Sequence, residues 1–88
     1  MTKEKKALVY GRLMIDELKN ALNEAFKDSL VEVRDLTGGG DHFEVSIESA
    51  AFEGKSMIQQ HQMVYAVVGH WINGPVHALK INTRIRKI

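Results

Sequence analysis

The chain has 88 residues, of which 44% are hydrophobic and 26% are charged, and its formal net charge is +1. This length allows one small domain with a single core, and the near-neutral charge alone indicates no polyanionic partner. The chain contains no cysteine, which excludes disulfide and zinc-finger frameworks, and no apolar run approaches the roughly 18 residues of a membrane span. We therefore expect a soluble protein of the cytoplasm, with an organelle such as the mitochondrion as the alternative.

The first predicted element is a helix that begins near Met14. Its apolar side chains recur at three- and four-residue spacings and form one stripe, made of Ile15, Leu18, Leu22, Ala25 and Phe26. Residues 1–13 fit this pattern less well. We interpret them as an N-terminal extension that either frays or lengthens the helix, and residues 14–88 as the folded domain.

Two strands joined by a glycine-rich loop follow. Residues 30–36 predict the first strand, with Val31 and Val33 on one face. Residues 42–49 alternate cleanly between apolar and polar, which predicts a second strand with its apolar side chains inward: Phe43, Val45 and Ile47. The segment Thr37-Gly38-Gly39-Gly40-Asp41 between them is typical of a flexible connection. The pair therefore reads as an antiparallel hairpin.

A turn at Phe52-Glu53-Gly54-Lys55 leads into a second helix. Gly54 is expected in a backbone conformation that other residues avoid, and Ser56 is a suitable N-cap. The predicted buried positions of this helix are Ile58, Val64, Tyr65, Val68 and Ile72, with Met57 or His61 at the margin. The helix should end near Asn73-Gly74-Pro75, where a glycine precedes a proline.

Residues 76–85 predict a last strand, with Leu79, Ile81 and Thr83 inward. The order αββαβ then indicates a single small α+β domain with a three-stranded mixed sheet and its helices on one face. The long segment between the second and third strands permits the crossover that a parallel pair requires.

Two segments carry a family resemblance. The first runs from Phe52-Glu53-Gly54-Lys55-Ser56 through His61 to Tyr65, and the second is Val76-His77-Ala78-Leu79. With the element order, they resemble the BolA-like family, whose fold is similar to the type II KH arrangement. The likeness covers about residues 14–85. It implies an adaptor that pairs with a monothiol glutaredoxin and helps to ligate a [2Fe-2S] cluster shared with that partner and glutathione, in cluster trafficking, cluster assembly or iron regulation. Because the chain has no cysteine, it could not hold such a cluster alone, so we expect no cofactor in the free protein. We also expect no membrane partner, and a free protein that is a monomer or a weak homodimer.

His77 is the first candidate metal ligand. It opens a strand, so its ring can project from the sheet edge and donate a lone pair to a metal. Its parity with Leu79 and Ile81 favours the competing interpretation, a histidine half-buried beside the core. The resemblance implies that it is a cluster ligand.

His42 is the second candidate. The family carries another ligand, cysteine or histidine, in the loop before this strand, and the loop here lacks the cysteine. His42, or as a less favoured choice Asp41, can substitute for it. The alternatives are a single ligand from this chain and a solvent-facing loop histidine. We interpret His61 as structural, although it occupies the histidine position of a family helix motif, and His70 as a surface residue.

The remaining chemistry is limited. No nucleophilic or acid–base constellation is present, so we expect no enzyme. The G-x-x-G clamp of RNA-binding KH domains is missing, because Met57 stands three residues after Gly54. Residues 54–88 contain five basic residues and no acidic one: Lys55, Lys80, Arg84, Arg86 and Lys87. They support the alternative function, a DNA-binding transcriptional regulator of stress response or cell morphology, or they protect a strand edge from aggregation.

Overall fold

The computed structural model describes residues 3–26, 28–72 and 74–87, with side chains from Arg12 onward. Its helices and strands are α1 (Lys3–Ala25), β1 (Leu30–Asp35), β2 (His42–Ser49), α2 (Met57–Val68) and β3 (Ala78–Ile85). Short 3-10 turns follow β2 at Ala50–Phe52 and α2 at Gly69–Trp71. The order αββαβ is confirmed, and residues 3–13 continue α1. The predicted end of α2 near Asn73-Gly74-Pro75 is wrong, because the helix ends at Val68 with Gly69 as its C-cap and a 3-10 turn follows. Asn73 itself lies outside the described residues.

The three strands form one mixed sheet in the order β1-β2-β3. β1 and β2 pair antiparallel, with Val33 opposite Val45, and β2 and β3 pair parallel, with Val45 opposite Ile81. The parallel pair needs a crossover connection, which α2 supplies. In the part of the chain that the structure describes, no helix is both long and apolar enough to cross a lipid bilayer.

The core lies between the two helices and one face of the sheet. The inward residues of β2 are fully or almost fully buried, and they meet buried side chains from α1. These residues are Phe43, Val45 and Ile47 from the strand and Leu18, Leu22 and Phe26 from the helix. Phe26 also packs on Phe52, with 5.2 Å between ring centroids. The predicted stripe is wrong only at Ala25, which is exposed on the last turn of α1.

The buried face of α2 differs from the predicted one. Gln60, Val64 and Val68 face the core, whereas Ile58 is 71% exposed and Tyr65 is 45% exposed. Val64 and Val68 can be buried together with Gln60 or together with Tyr65, so the two valines alone do not determine how α2 is rotated about its axis. Gln60 can be buried because its side-chain amide donates to the Lys55 carbonyl at 2.9 Å and accepts from the Thr83 hydroxyl at 2.6 Å. Those hydrogen bonds turn α2 toward β3 and expose Ile58 and Tyr65.

The entry to α2 is as predicted. Gly54 has a φ of +76°, a conformation that glycine adopts without a Cβ penalty. The Ser56 hydroxyl accepts from the Gln59 N–H at 3.2 Å, and the Gln59 side chain accepts from the Ser56 N–H at 2.9 Å. This reciprocal pair is a capping box, which fixes the first turn of the helix.

Candidate metal centre

The parallel pairing of β2 and β3 brings the two candidate ligands together. His42 is the first residue of β2, and His77 immediately precedes Ala78, its partner in the register. Their ring centroids lie 6.1 Å apart, with 42° between the ring planes. The His42 side chain is 41% exposed, and His77 is exposed as well. The interpretation of His77 as half-buried beside the core is therefore wrong, and two histidines far apart in the sequence form one accessible pair.

Asp41 contacts both members of the pair. Its carboxylate Oδ1 lies 2.8 Å from Nδ1 of His42, and its backbone carbonyl accepts from the N–H of His77 at 2.7 Å. The hydrogen bond with His42 lowers the pKa of Asp41, and the charge of His42, a hydrogen bond from Thr37 and the charge of His77 act in the same direction. The Asp41 carboxyl is therefore ionised at neutral pH.

The glycine-rich loop before β2 is closed by a second carboxylate. Asp35 Oδ1 accepts from the N–H groups of Thr37 at 3.2 Å and Gly38 at 2.9 Å, and Oδ2 accepts from Gly40 at 3.0 Å. Gly38 and Gly40 adopt φ values of +76° and +77°, which suit glycine. Sequence reasoning treated this loop as a flexible connection and missed Asp35. An aspartate directly before such a turn is the signal that could have identified it.

The pair offers two imidazole nitrogens, donors that suit iron and zinc. Within residues 12–26, 28–72 and 74–87, no group of three or more His, Cys, Asp or Glu side chains is arranged to hold a metal ion. His61 is half-buried on α2, and His70 is exposed with its ring centroid 4.1 Å from that of Trp71. The structural interpretation of His61 and the surface position of His70 agree with these locations.

The five basic residues of the alternative function do not form one cluster along the chain: two lie on β3, two follow it and one precedes α2. Lys80 Nζ lies 3.5 Å from Glu44 Oε2, and the Arg86 side chain donates to the Asp28 carbonyl at 3.2 Å. Lys55 lies in the turn before α2, and Lys87 follows β3. Arg84 lines a shallow groove of about 710 Å³ on the open face of the sheet, together with Glu32 and Glu48. The groove therefore carries both signs of charge, and DNA binding stays a prediction.

Comparison with known proteins gives one consistent result. The family model described as "BolA-like protein" matches residues 16–87. The uncharacterised protein RP812 of Rickettsia prowazekii is 34% identical over 77% of this chain and 88% of its own length. BolA-like protein 1 of Homo sapiens is 36% identical over 76% of this chain, which spans only 54% of that relative.

Solved structures show the same fold. The BolA domain of SufE1 from Arabidopsis thaliana superposes with a TM-score of 0.74 at 26% identity, over 82% of this chain and 91% of that domain. The solution structure of BolA1 from Mus musculus gives a TM-score of 0.70 at 31% identity, over 81% of this chain and 63% of that one. The family match over residues 16–87 includes the C-terminal part of α1, all of α2 and all three strands.

Proposed function

The chain belongs to the BolA-like family, and on that premise we propose that it is a non-enzymatic adaptor that pairs with a monothiol glutaredoxin and helps to ligate a shared [2Fe-2S] cluster. The observation that carries this proposal is the accessible pair of His42 and His77, with ring centroids 6.1 Å apart at the start of adjacent strands. We assign the proposed setting to the cytoplasm or to an organelle in which glutathione keeps thiols reduced.

The histidines of this chain could supply two of the four ligands of such a cluster. Iron–sulfur clusters are held mostly by cysteine thiolates, but two histidines replace two cysteines on one iron in some [2Fe-2S] proteins. This chain has four histidines and no cysteine. His77 and His42 would therefore supply nitrogen ligands, while the glutaredoxin and its glutathione would supply the thiolates. When bound, such a cluster has a higher reduction potential than an all-thiolate one.

The strands determine what the two histidines can do. His42 pairs with Ala78 in the β2–β3 ladder, and its carbonyl accepts from the N–H of Leu36 at 2.8 Å. The N–H of His77 donates to the Asp41 carbonyl at 2.7 Å. Both rings are accessible, so a partner can approach them without unfolding either strand. This arrangement suits a protein that adds ligands to a cluster carried by another protein.

Mixing the chain anaerobically with a cluster-loaded monothiol glutaredoxin tests the proposal. We expect a heterodimer in size-exclusion chromatography and a changed visible circular dichroism spectrum, because histidine would replace a ligand of the glutaredoxin cluster. His77→Ala and His42→Ala should each restore part of the original spectrum. His70→Ala is the matched control, since His70 is an exposed histidine beside Trp71.

Two outcomes would contradict the proposal. One is an unchanged spectrum with no complex formed. The other is a new spectrum that survives in the His42→Ala/His77→Ala double variant, because the ligands would then lie elsewhere. Transfer of the cluster from the complex to an apo-ferredoxin would favour trafficking, and retention of the cluster would favour iron regulation.

A further inference from the structure

We propose that Asp41 is a positioning residue for the histidine pair: its carboxylate holds the His42 ring with Nδ1 protonated, which leaves Nε2 as the free donor. The inference rests on the proposed function, since it concerns the nitrogen that His42 presents to a metal. It gives Asp41 a role different from that of a substitute ligand, the less favoured choice that the sequence left open.

The protonation of the ring follows from the contact. An ionised carboxylate can only accept hydrogen bonds, so the Nδ1 atom that lies 2.8 Å from Asp41 Oδ1 must carry a proton. This distance lies in the range of charge-assisted hydrogen bonds. A neutral imidazole with Nδ1 protonated has its lone pair on Nε2, which is the nitrogen left for ligation. Histidines that bind metals commonly donate their other ring N–H to a carboxylate in this way.

The Asp41 carboxylate is itself held in place. Its Oδ1 also accepts from the Thr37 hydroxyl at 3.3 Å, and its side chain is 38% exposed. The loop between Thr37 and Asp41 is closed by the three hydrogen bonds to the Asp35 carboxylate. The Asp41 carboxylate therefore lies in a loop that is ordered by its own hydrogen bonds, and this order keeps the carboxylate beside His42.

The backbone of Asp41 contacts the other histidine. Its carbonyl accepts from the N–H of His77 at 2.7 Å and of Ala78 at 3.3 Å. A side-chain substitution at Asp41 leaves this backbone contact available. Such a variant should therefore change the orientation and tautomer of the His42 ring while the start of β3 stays paired.

The first experiment measures the ring in the free protein. Long-range 1H–15N correlation spectra at about pH 8.5, where histidines are ordinarily neutral, distinguish the two tautomers. We expect the His42 ring, assigned by its absence in His42→Ala, to be in the Nδ1–H form. Asp41→Ala should give a ring averaged between both tautomers, and Asp41→Asn, which keeps an oxygen acceptor, should retain part of the Nδ1–H preference. Glu24→Ala, which removes an exposed acid from α1, should leave the ring unchanged.

The second experiment measures the shared cluster. Loss of the mixed cluster from the glutaredoxin complex, followed by visible circular dichroism, should be about tenfold faster with Asp41→Ala, the lower end of the effect of removing such a partner. Asp41→Asn should restore part of the lifetime.

The two experiments separate the possible failures. An averaged His42 tautomer in the unaltered protein, or an Asp41→Ala variant that keeps both the Nδ1–H form and the cluster lifetime, would overturn the inference. The ring measurement needs no partner, so it decides the role of Asp41 in orienting His42 even if no complex forms. Absence of the complex would overturn the proposed function and with it the second experiment.

Discussion

The buried amide of Gln60 gives a stability prediction that can be worked out from its contacts. Gln60 is 5% exposed and joins the start of α2 to β3, through the Lys55 carbonyl and the Thr83 hydroxyl. Gln60→Ala removes both hydrogen bonds. Since each contributes about 0.5–1.5 kcal/mol net, we expect the free energy of unfolding to fall by about 2 kcal/mol. For a domain of this size, that corresponds to a fall in Tm of about 10 °C.

Gln62→Ala is the matched control, because Gln62 lies on the exposed face of the same helix. Both variants replace glutamine with alanine inside α2, so the gain in helix propensity cancels in the comparison. Urea unfolding followed by far-UV circular dichroism would measure both, with an unchanged m-value indicating that only stability has changed. A difference between the two variants below about 0.5 kcal/mol, the usual range for surface changes, would refute the reasoning.

A double-mutant cycle with Thr83→Val isolates one of the two contacts. The Thr83 hydroxyl lies 2.6 Å from Gln60 Oε1 and 3.4 Å from Met57 Sδ. We expect a coupling energy of about 1 kcal/mol between positions 60 and 83, as for other hydrogen-bonded neighbours. Additive effects would show that the Gln60–Thr83 contact contributes nothing and that the cost of Gln60→Ala arises elsewhere.

Three further predictions follow from contacts outside the histidine pair. Ser56→Ala should lower the free energy of unfolding by about 1 kcal/mol in urea titrations, because it removes an N-cap; no loss would contradict the capping box. The hydrogen bond from Asn82, aided by the charges of Arg34 and Lys80, lowers the pKa of Glu44. The stabilisation that the ionised Glu44 carboxyl provides is therefore complete above the unfolded pKa of about 4.3 and lost as the pH falls through the folded pKa. Glu44→Gln should flatten the acid end of a Tm–pH curve, and an unchanged curve would contradict this. Duplex DNA should bind weakly, with a log–log salt slope no steeper than about −4.5 for five phosphate contacts, and gel-shift affinity that persists at about 200 mM salt would contradict this.

Much of the fold could be predicted from the sequence because its strands alternate strictly. The period-two pattern of residues 42–49 identified the buried side of β2, and one such strand fixes which face of the sheet meets the helices. The N-cap at Ser56 and the left-handed glycine at position 54 were also predictable, since each depends on local chemistry alone. The family could be identified for the same reason, as its motif lies in these local elements.

The rotation of α2 could not be predicted, because it depends on a polar residue. Hydrophobic periodicity assigns Gln60 to solvent and Ile58 to the core. The structure reverses both assignments, since the side-chain oxygen of Gln60 accepts a hydrogen bond from the hydroxyl of Thr83, which is distant in sequence. Periodicity alone carries no information on whether a buried polar group will be satisfied.

The candidate site could likewise be predicted only where it depends on neighbouring residues in the sequence. Side-chain alternation holds only within a strand, and β3 begins at Ala78, so the parity of His77 with Leu79 did not determine its exposure. What places His77 beside His42 is the parallel register of β2 and β3, which sets Ala78 opposite His42. In a parallel pair both strands start at the same edge of the sheet, so the residues that open each strand are neighbours whatever their separation along the chain. The Asp41 carbonyl fixes that edge through the N–H groups of His77 and Ala78. The metal ligation that we propose for this chain therefore depends on the register of β3 as much as on the identity of the two histidines.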